Sequence, residues 1–270
     1  MLDEDGELSL HTIFTELARP PSPPASFALY VREVPESDPN EWVQIEIRLV
    51  GSHCLWGHYL WNAARAFATY LDQNPRLYRH RSVLELGAGG GLPGIVTAKN
   101  GARKVVLTDY PDEPLLDNLR HNVEVNIPDT LRHVVEVEGY IWGRNVSSLL
   151  RRLPDPLVQS GSGFDLVILS DLIFNHSQHE ALLSTCEQVL ARSCNDNDDA
   201  TPPCILVFYS HNRPGLAHKD MVFFHLAKQK GWTCEEVLKR KYAPMFPDDP
   251  GDEDVRSTVH GWQLTRAPAK

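Results

Sequence analysis

Three carboxylates stand at or near the ends of apolar runs, beside glycine, serine or an aromatic residue. Ligand binding at the edge of an α/β sheet requires that placement. The first is Glu85, in Val83-Leu84-Glu85-Leu86-Gly87-Ala88-Gly89-Gly90-Gly91-Leu92-Pro93-Gly94. Here an apolar run breaks into a glycine loop and restarts as a helix. Gly87 and Gly89, with Ala88 between them, let the main chain approach a ligand without a Cβ clash and present N–H groups to it. The second is Asp109, which closes Lys104-Val-Val-Leu-Thr-Asp109 and is followed by Tyr110. An aspartate there can grip both hydroxyls of a ribose, with Tyr110 beside an adenine. The third is Asp171, which closes Phe164-Asp-Leu-Val-Ile-Leu-Ser-Asp171 beside Ser170, where the reactive end of such a ligand would lie. Trp142, between the second and third of these runs, can stack on adenine. Each feature also has a plain structural reading: a tight turn for the loop, a helix N-cap for either aspartate, core packing for Trp142.

The composition of the loop separates two cofactor classes. A dinucleotide fingerprint counted from Gly87 needs a small residue at position 92, where helix and strand pack closely. This chain has Leu92 followed by Pro93. Glu85, just before the turn, would repel a pyrophosphate and accept hydrogen bonds from a cationic ligand. The loop therefore suits S-adenosylmethionine better than NAD, and an NAD-dependent oxidoreductase is disfavoured.

These residues need a scaffold, and the chain is long enough to build one: 270 residues. Trp42–Val50 alternates apolar and polar residues as a half-buried strand does, and apolar positions at helical spacing follow over 55–73. Regular alternation then predicts strands at 82–86, 104–109, 131–137, 164–170 and 204–210. Helices are predicted at 92–100, 113–125, 177–192 and 217–230. The strands are continuous apolar runs, which implies a mainly parallel α/β sheet covered on both faces. Alternation at 255–265 predicts an antiparallel edge strand, and the acidic, Pro-rich stretches 195–203 and 247–254 read as surface loops. Residues 1–40 carry Pro20, Pro21, Pro23, Pro24, Pro35 and Pro39 and are expected to be a Pro-rich, partly extended arm with little helix or sheet.

Thirty-six acidic and 26 basic residues give a net charge of −10, which opposes nucleic-acid phosphate and favours a basic protein partner. The five scattered cysteines form no C-x-x-C pair, which argues for free thiols and against a zinc site or disulfide framework. The acidic start and the lack of a membrane-length apolar run lead to the expectation of a cytoplasmic protein without membrane contact.

Glu85-Leu-Gly-Ala-Gly-Gly-Gly-Leu-Pro-Gly94, Thr108-Asp109-Tyr110 and Ser170-Asp-Leu-Ile-Phe174 together resemble the seven-β-strand methyltransferases of the lysine-modifying group. Asp171-Leu172-Ile173-Phe174 is similar to that group's Asp/Glu-x-x-Phe/Tyr motif. The likeness spans roughly residues 20–265. Arg48-Leu-Val-Gly-Ser-His-Cys-Leu-Trp-Gly-His-Tyr-Leu-Trp-Asn-Ala-Ala-Arg65 is most similar to the fungal branch that methylates the N-terminal glycine and neighbouring lysine of translation elongation factor 1-alpha. The resemblance implies a doubly wound, mainly parallel seven-stranded Rossmann-like sheet, with 41–270 as a single methyltransferase domain. It implies S-adenosylmethionine as cofactor, elongation factor 1-alpha as protein substrate, and a monomer. It also implies cofactor contacts at Trp56, Gly87, Ala88, Gly89, Asp109, Trp142 and Ser170, beside Glu85 and Tyr110 from the residue reading.

Asp171 is expected to hydrogen-bond and orient the incoming amine rather than to act as a general base, because a nearby carboxylate also raises the amine's pKa. Phe174, Tyr209 and Trp56 are candidates for an aromatic wall around a methylated cation. Asp112, Glu113 and the 248–254 acidic loop are candidates for a negative cleft mouth. Two other readings use the same residues: a small-molecule N-methyltransferase with an enclosing lid, and a non-catalytic binding protein on the same fold.

Overall fold

The computed structural model describes residues 23–33, 41–51, 57–154, 163–192 and 201–266. The strands are β1 (Ser26–Val31), β2 (Gln44–Leu49), β3 (Ser82–Leu86), β4 (Lys104–Asp109), β5 (Val135–Gly139), β6 (Leu166–Ser170), β7 (Cys204–Ser210), β8 (Trp232–Lys241) and β9 (Thr258–Arg266). The longer helices are α1 (Asn62–Gln73), α2 (Leu92–Lys99), α3 (Glu113–Asn126), α4 (His179–Val189) and α5 (Val222–Gln229). Seven strands form one sheet in the order β5-β4-β3-β6-β7-β9-β8. The first five are parallel, and β9 runs antiparallel between β7 and β8.

Alternate residues of the central strands enter opposite layers, which is why their sequences read as unbroken apolar runs. Val83, Val105, Leu107, Ile168, Leu206 and Phe208 pack with Phe67 and Leu71 of α1 and Ile95 of α2. Leu84, Leu86, Val106, Leu169, Val207 and Tyr209 pack with Leu182, Leu183 and Cys186 of α4 and Phe223 and Phe224 of α5. Strand order reverses beside β3, between β4 and β6, so the carboxyl ends of these strands form the crevice where such sheets take ligands. No helix among the described residues is long and apolar enough to cross a membrane.

Several expectations are corrected. Ser26–Val31, inside the expected arm, is a strand paired with β2 in a separate two-stranded sheet; the surrounding prolines hid it. Three asparagines one turn apart on α3 satisfy the free edge of β2. Asn122 accepts from Arg48 N at 2.8 Å and donates to Arg48 O at 2.9 Å, and Asn126 accepts from Glu46 N at 3.2 Å and donates to its O at 2.8 Å. Asn118 donates to Arg48 O at 2.8 Å. The side-chain amides thus imitate a neighbouring strand. The described part of the first predicted helix starts at Asn62, and residues 52–56 lie outside the described residues. Residues 129–132 form a helical turn, so β5 starts at Val135. The helix predicted at 177–192 is regular only over His179–Val189, and the one at 217–230 divides at Met221. Part of the acidic stretch at 247–254 is helical, over Glu253–Ser257. The tail strand β9 is not the sheet edge. That place belongs to β8, whose Thr-Cys-Glu-Glu-Val-Leu-Lys-Arg-Lys run is charged because an edge strand faces water.

Candidate active site

The loop after β3 turns through three left-handed glycines, Gly87 (φ +59°), Gly89 (φ +55°) and Gly91 (φ +76°). A Cβ on Gly90 would lie 2.4 Å from Ile47 of β2, and Asn122 donates to Gly90 O at 3.1 Å. The β1–β2 hairpin therefore supports the underside of the loop, a role the sequence reading missed. At Gly89 the Cβ direction is open space for 4 Å, so the backbone there is left bare toward a cavity of about 390 Å3. Gly89→Ala is expected to keep the fold, lose a few degrees of thermal midpoint to left-handed strain, and weaken cofactor binding about tenfold by filling that approach. Unchanged affinity by calorimetry would remove Gly89 from the contact set.

Asp109, at the carboxyl end of β4, accepts from Gly89 N and Tyr110 N, both at 2.7 Å. Asp109, Tyr110, Trp142, Ser170 and Gly87-Ala88-Gly89 all line the cavity. The Trp142 ring lies over Gly87, 3.1 Å from where a Cβ would stand. The loop carrying Trp142 is tied to α4 through Gly143 N and Thr185 Oγ1 at 2.8 Å. Trp56 lies outside the described residues.

Glu85 does not line the cavity, which corrects its assignment as a cofactor contact. It is fully buried beneath the loop, and its Oε2 accepts from Gly94 N at 2.8 Å in the first turn of α2. Its Oε1 has no hydrogen-bond partner among the described residues. Burial pushes the Glu85 pKa up to about 8, with the charge of Asp109 adding to it and the Gly94 N–H opposing. A carboxyl whose folded pKa lies above its unfolded value binds more protons folded than unfolded between the two. Its contribution to stability is thus lost as pH rises from about 4.5 to 8. The thermal midpoint should drop by several degrees across that window in the native protein and by less in Glu85→Gln. An equal slope in both would place the titration elsewhere.

Asp171 directly follows β6 in a left-handed conformation (φ +55°) and is 6% exposed. Its main-chain N–H donates to Phe208 O at 2.7 Å. Among the described residues its carboxylate accepts only two long bonds, from Ser210 N and Asn212 Nδ2, each at 3.4 Å. Burial pushes its pKa up to about 7 against those two donors. Behind it Asp220 bridges His176 Nε2 at 2.6 Å and His211 Nδ1 at 2.7 Å.

Past Asp171 a second chamber opens, sharing Trp61, Asp171, Phe174 and Asn175 with the first cavity. Phe174 is part of its wall. Tyr209 is not: it is buried in the core, its hydroxyl directed at Met221 Sδ at 3.4 Å. The aromatic side is completed by Trp61 and Phe246. Among the expected mouth acids Asp249 lines the chamber, whereas Asp112 and Glu113 line neither cavity. Phe246 and Asp249 lie in a Pro-rich acidic stretch; an aromatic residue set among prolines, Pro244-Met-Phe-Pro247, was the available signal.

Residues 43–230 match the lysine methyltransferase family. This chain belongs to that family. The methyltransferase is 47% identical over 277 aligned positions to the protein N-terminal and lysine N-methyltransferase EFM7 of Cryptococcus neoformans, covering 98% of this chain and 90% of that one. To efm7 of Schizosaccharomyces pombe it is 42% identical, covering 92% and 91%. Among solved structures it resembles a putative RNA methyltransferase of Pyrococcus horikoshii (TM-score 0.51, 15% identity, 80% of this chain and 89% of that one). It also resembles SMU.776, a putative methyltransferase complexed with SAH (TM-score 0.53, 11% identity, 85% and 57%). The methyltransferase uses S-adenosylmethionine, and the bare Gly89 backbone, the Asp109 carboxylate and Trp142 fit the ribose and adenine of such a nucleoside.

Proposed function

We propose that this enzyme methylates the N-terminal glycine α-amine, and the adjacent lysine, of translation elongation factor 1-alpha. The observation that carries this reading is Asp171, a buried carboxylate with spare acceptor capacity where the cofactor cavity meets a chamber with aromatic walls. The identity to relatives named as protein N-terminal and lysine N-methyltransferases supports it. So does the rim: Arg213 and Asp249 are exposed, as suits a chain terminus entering from solvent rather than an enclosed small molecule.

When bound, the cofactor supplies a methyl group on a sulfonium, open to in-line displacement by a neutral amine. An α-amine with pKa near ~8 needs about 1 kcal/mol to lose its proton at pH 7, and a lysine near ~10.4 about 4–5 kcal/mol. Asp171 orients the amine by hydrogen bonding. Burial raises its own pKa to about 7, so it is ionised above neutrality and accepts from the amine there, while the amine's proton leaves to water. Trp61, Phe174 and Phe246 accommodate the positive charge that grows with methylation.

The test is mass spectrometry of elongation factor 1-alpha after incubation with this enzyme and isotopically labelled S-adenosylmethionine. Label on the first glycine or the adjacent lysine supports the reading. No label, with cofactor binding intact by calorimetry, discards this target.

A further inference from the structure

The second chamber, also about 390 Å3, draws its walls from distant parts of the chain: Trp61 before α1, Phe174 after β6, Asn212 and Arg213 after β7, and Phe246 and Asp249 between β8 and β9. The loop carrying the last two is pinned on both flanks. Asn62 Nδ2 donates to Ala243 O at 2.7 Å, and the buried Arg256 donates to Phe246 O at 2.7 Å. The Phe246 ring stands edge-on to Tyr59 and Trp61, with centroids 5.2 and 6.0 Å apart. A turn closed by Asp249 N and Phe246 O at 3.2 Å brings Asp249 into the lining, whereas Asp248 does not line it. Among the described residues no lysine or arginine forms an ion pair with Asp249.

The chamber therefore presents two carboxylates to whatever enters, a buried one at Asp171 and an exposed one at Asp249. A single amine occupies one of them. Arg213, the cation in the lining, donates to Phe174 O at 3.4 Å and disfavours a second positive charge on its own side. We propose that Asp249 is a specificity-determining residue that holds the second cation of the substrate, the amine neighbouring the one presented to Asp171. This rests on the reading that the substrate begins with glycine and lysine. Either amine can then take the Asp171 position while the other is held at Asp249, so one transfer site serves both.

The experiment compares kcat/KM of the full chain on two peptides, one starting Gly-Lys and one starting Gly-norleucine, at low ionic strength. The native enzyme should prefer the first by about fivefold, through KM, as befits a partly exposed ion pair. The preference should shrink with salt. Asp249→Asn should bring the ratio close to one, Asp249→Glu should retain it, and Asp248→Asn should leave it as in the native enzyme. An unchanged ratio in Asp249→Asn, or an equal loss in Asp248→Asn, overturns the proposal, the latter in favour of diffuse charge. If the native enzyme methylates neither peptide while still binding cofactor, the substrate reading fails and this inference with it.

Discussion

Asp171→Asn should lower turnover on a protein N-terminus by about 10²-fold while leaving S-adenosylmethionine affinity within about threefold of native. Asparagine is the informative replacement. It tolerates the left-handed backbone that position 171 adopts, so the loss reports the carboxylate rather than backbone strain. The pH profile supplies an independent readout. With a pKa raised to about 7, native Asp171 is ionised above that value, and activity should be lost as pH falls through it. In Asp171→Asn that limb should vanish, leaving only the amine's own titration. Native-like turnover in the variant would show that the amine is oriented elsewhere, and Asp171 would then be a strand terminus shaped by packing.

Asp109→Ala should weaken cofactor binding by about 10²–10⁴-fold. Two hydrogen bonds from ribose hydroxyls to a carboxylate contribute on the order of 1.5–3 kcal/mol each. The same side chain also holds Gly89 N and Tyr110 N, so its removal loosens the loop as well as the ligand. Asp109→Asn loses the charge and keeps one acceptor oxygen, enough for only one of the two loop N–H groups, and should fall between native and Asp109→Ala. Calorimetry with S-adenosylmethionine decides it. Equal affinity in native enzyme and Asp109→Ala would exclude the ribose assignment.

Sequence and structure agree best where chemistry is local. Asp109 and Ser170 end their strands, Gly87, Gly89 and Asp171 come just after theirs, and two buried faces force those strands to be continuous apolar runs. Glu85 shows the limit of that logic. Its place before the loop was legible, but whether its carboxylate points to the ligand or to the helix N-terminus depends on the pleat and on how closely α2 packs. Gly94, whose Cβ would lie 2.6 Å from Glu85 Oε2, sets that closeness. The second chamber was hidden for a different reason. Trp61 and Phe246 meet only when the β8–β9 loop crosses to the start of α1, and no short-range pattern records such an encounter. Strand β8 escaped because its polar faces look like a solvated loop, and β1 because prolines surround it.

The position of β9 also has a consequence for how the molecule is made. Among the described residues it is the last strand along the chain, yet it lies inside the sheet, and β8 pairs with no other described strand. During synthesis the ribosome releases β3 through β7 first, and these already carry the glycine loop, Asp109 and Asp171. Until β9 emerges, β8 has nothing to zip onto, and the loop bearing Phe246 and Asp249 is tethered at one end only. The residues of the nucleoside crevice thus leave the ribosome before the doorway that admits a target can take shape, and β7, paired with β9 along its length, waits on the same strand for its second neighbour.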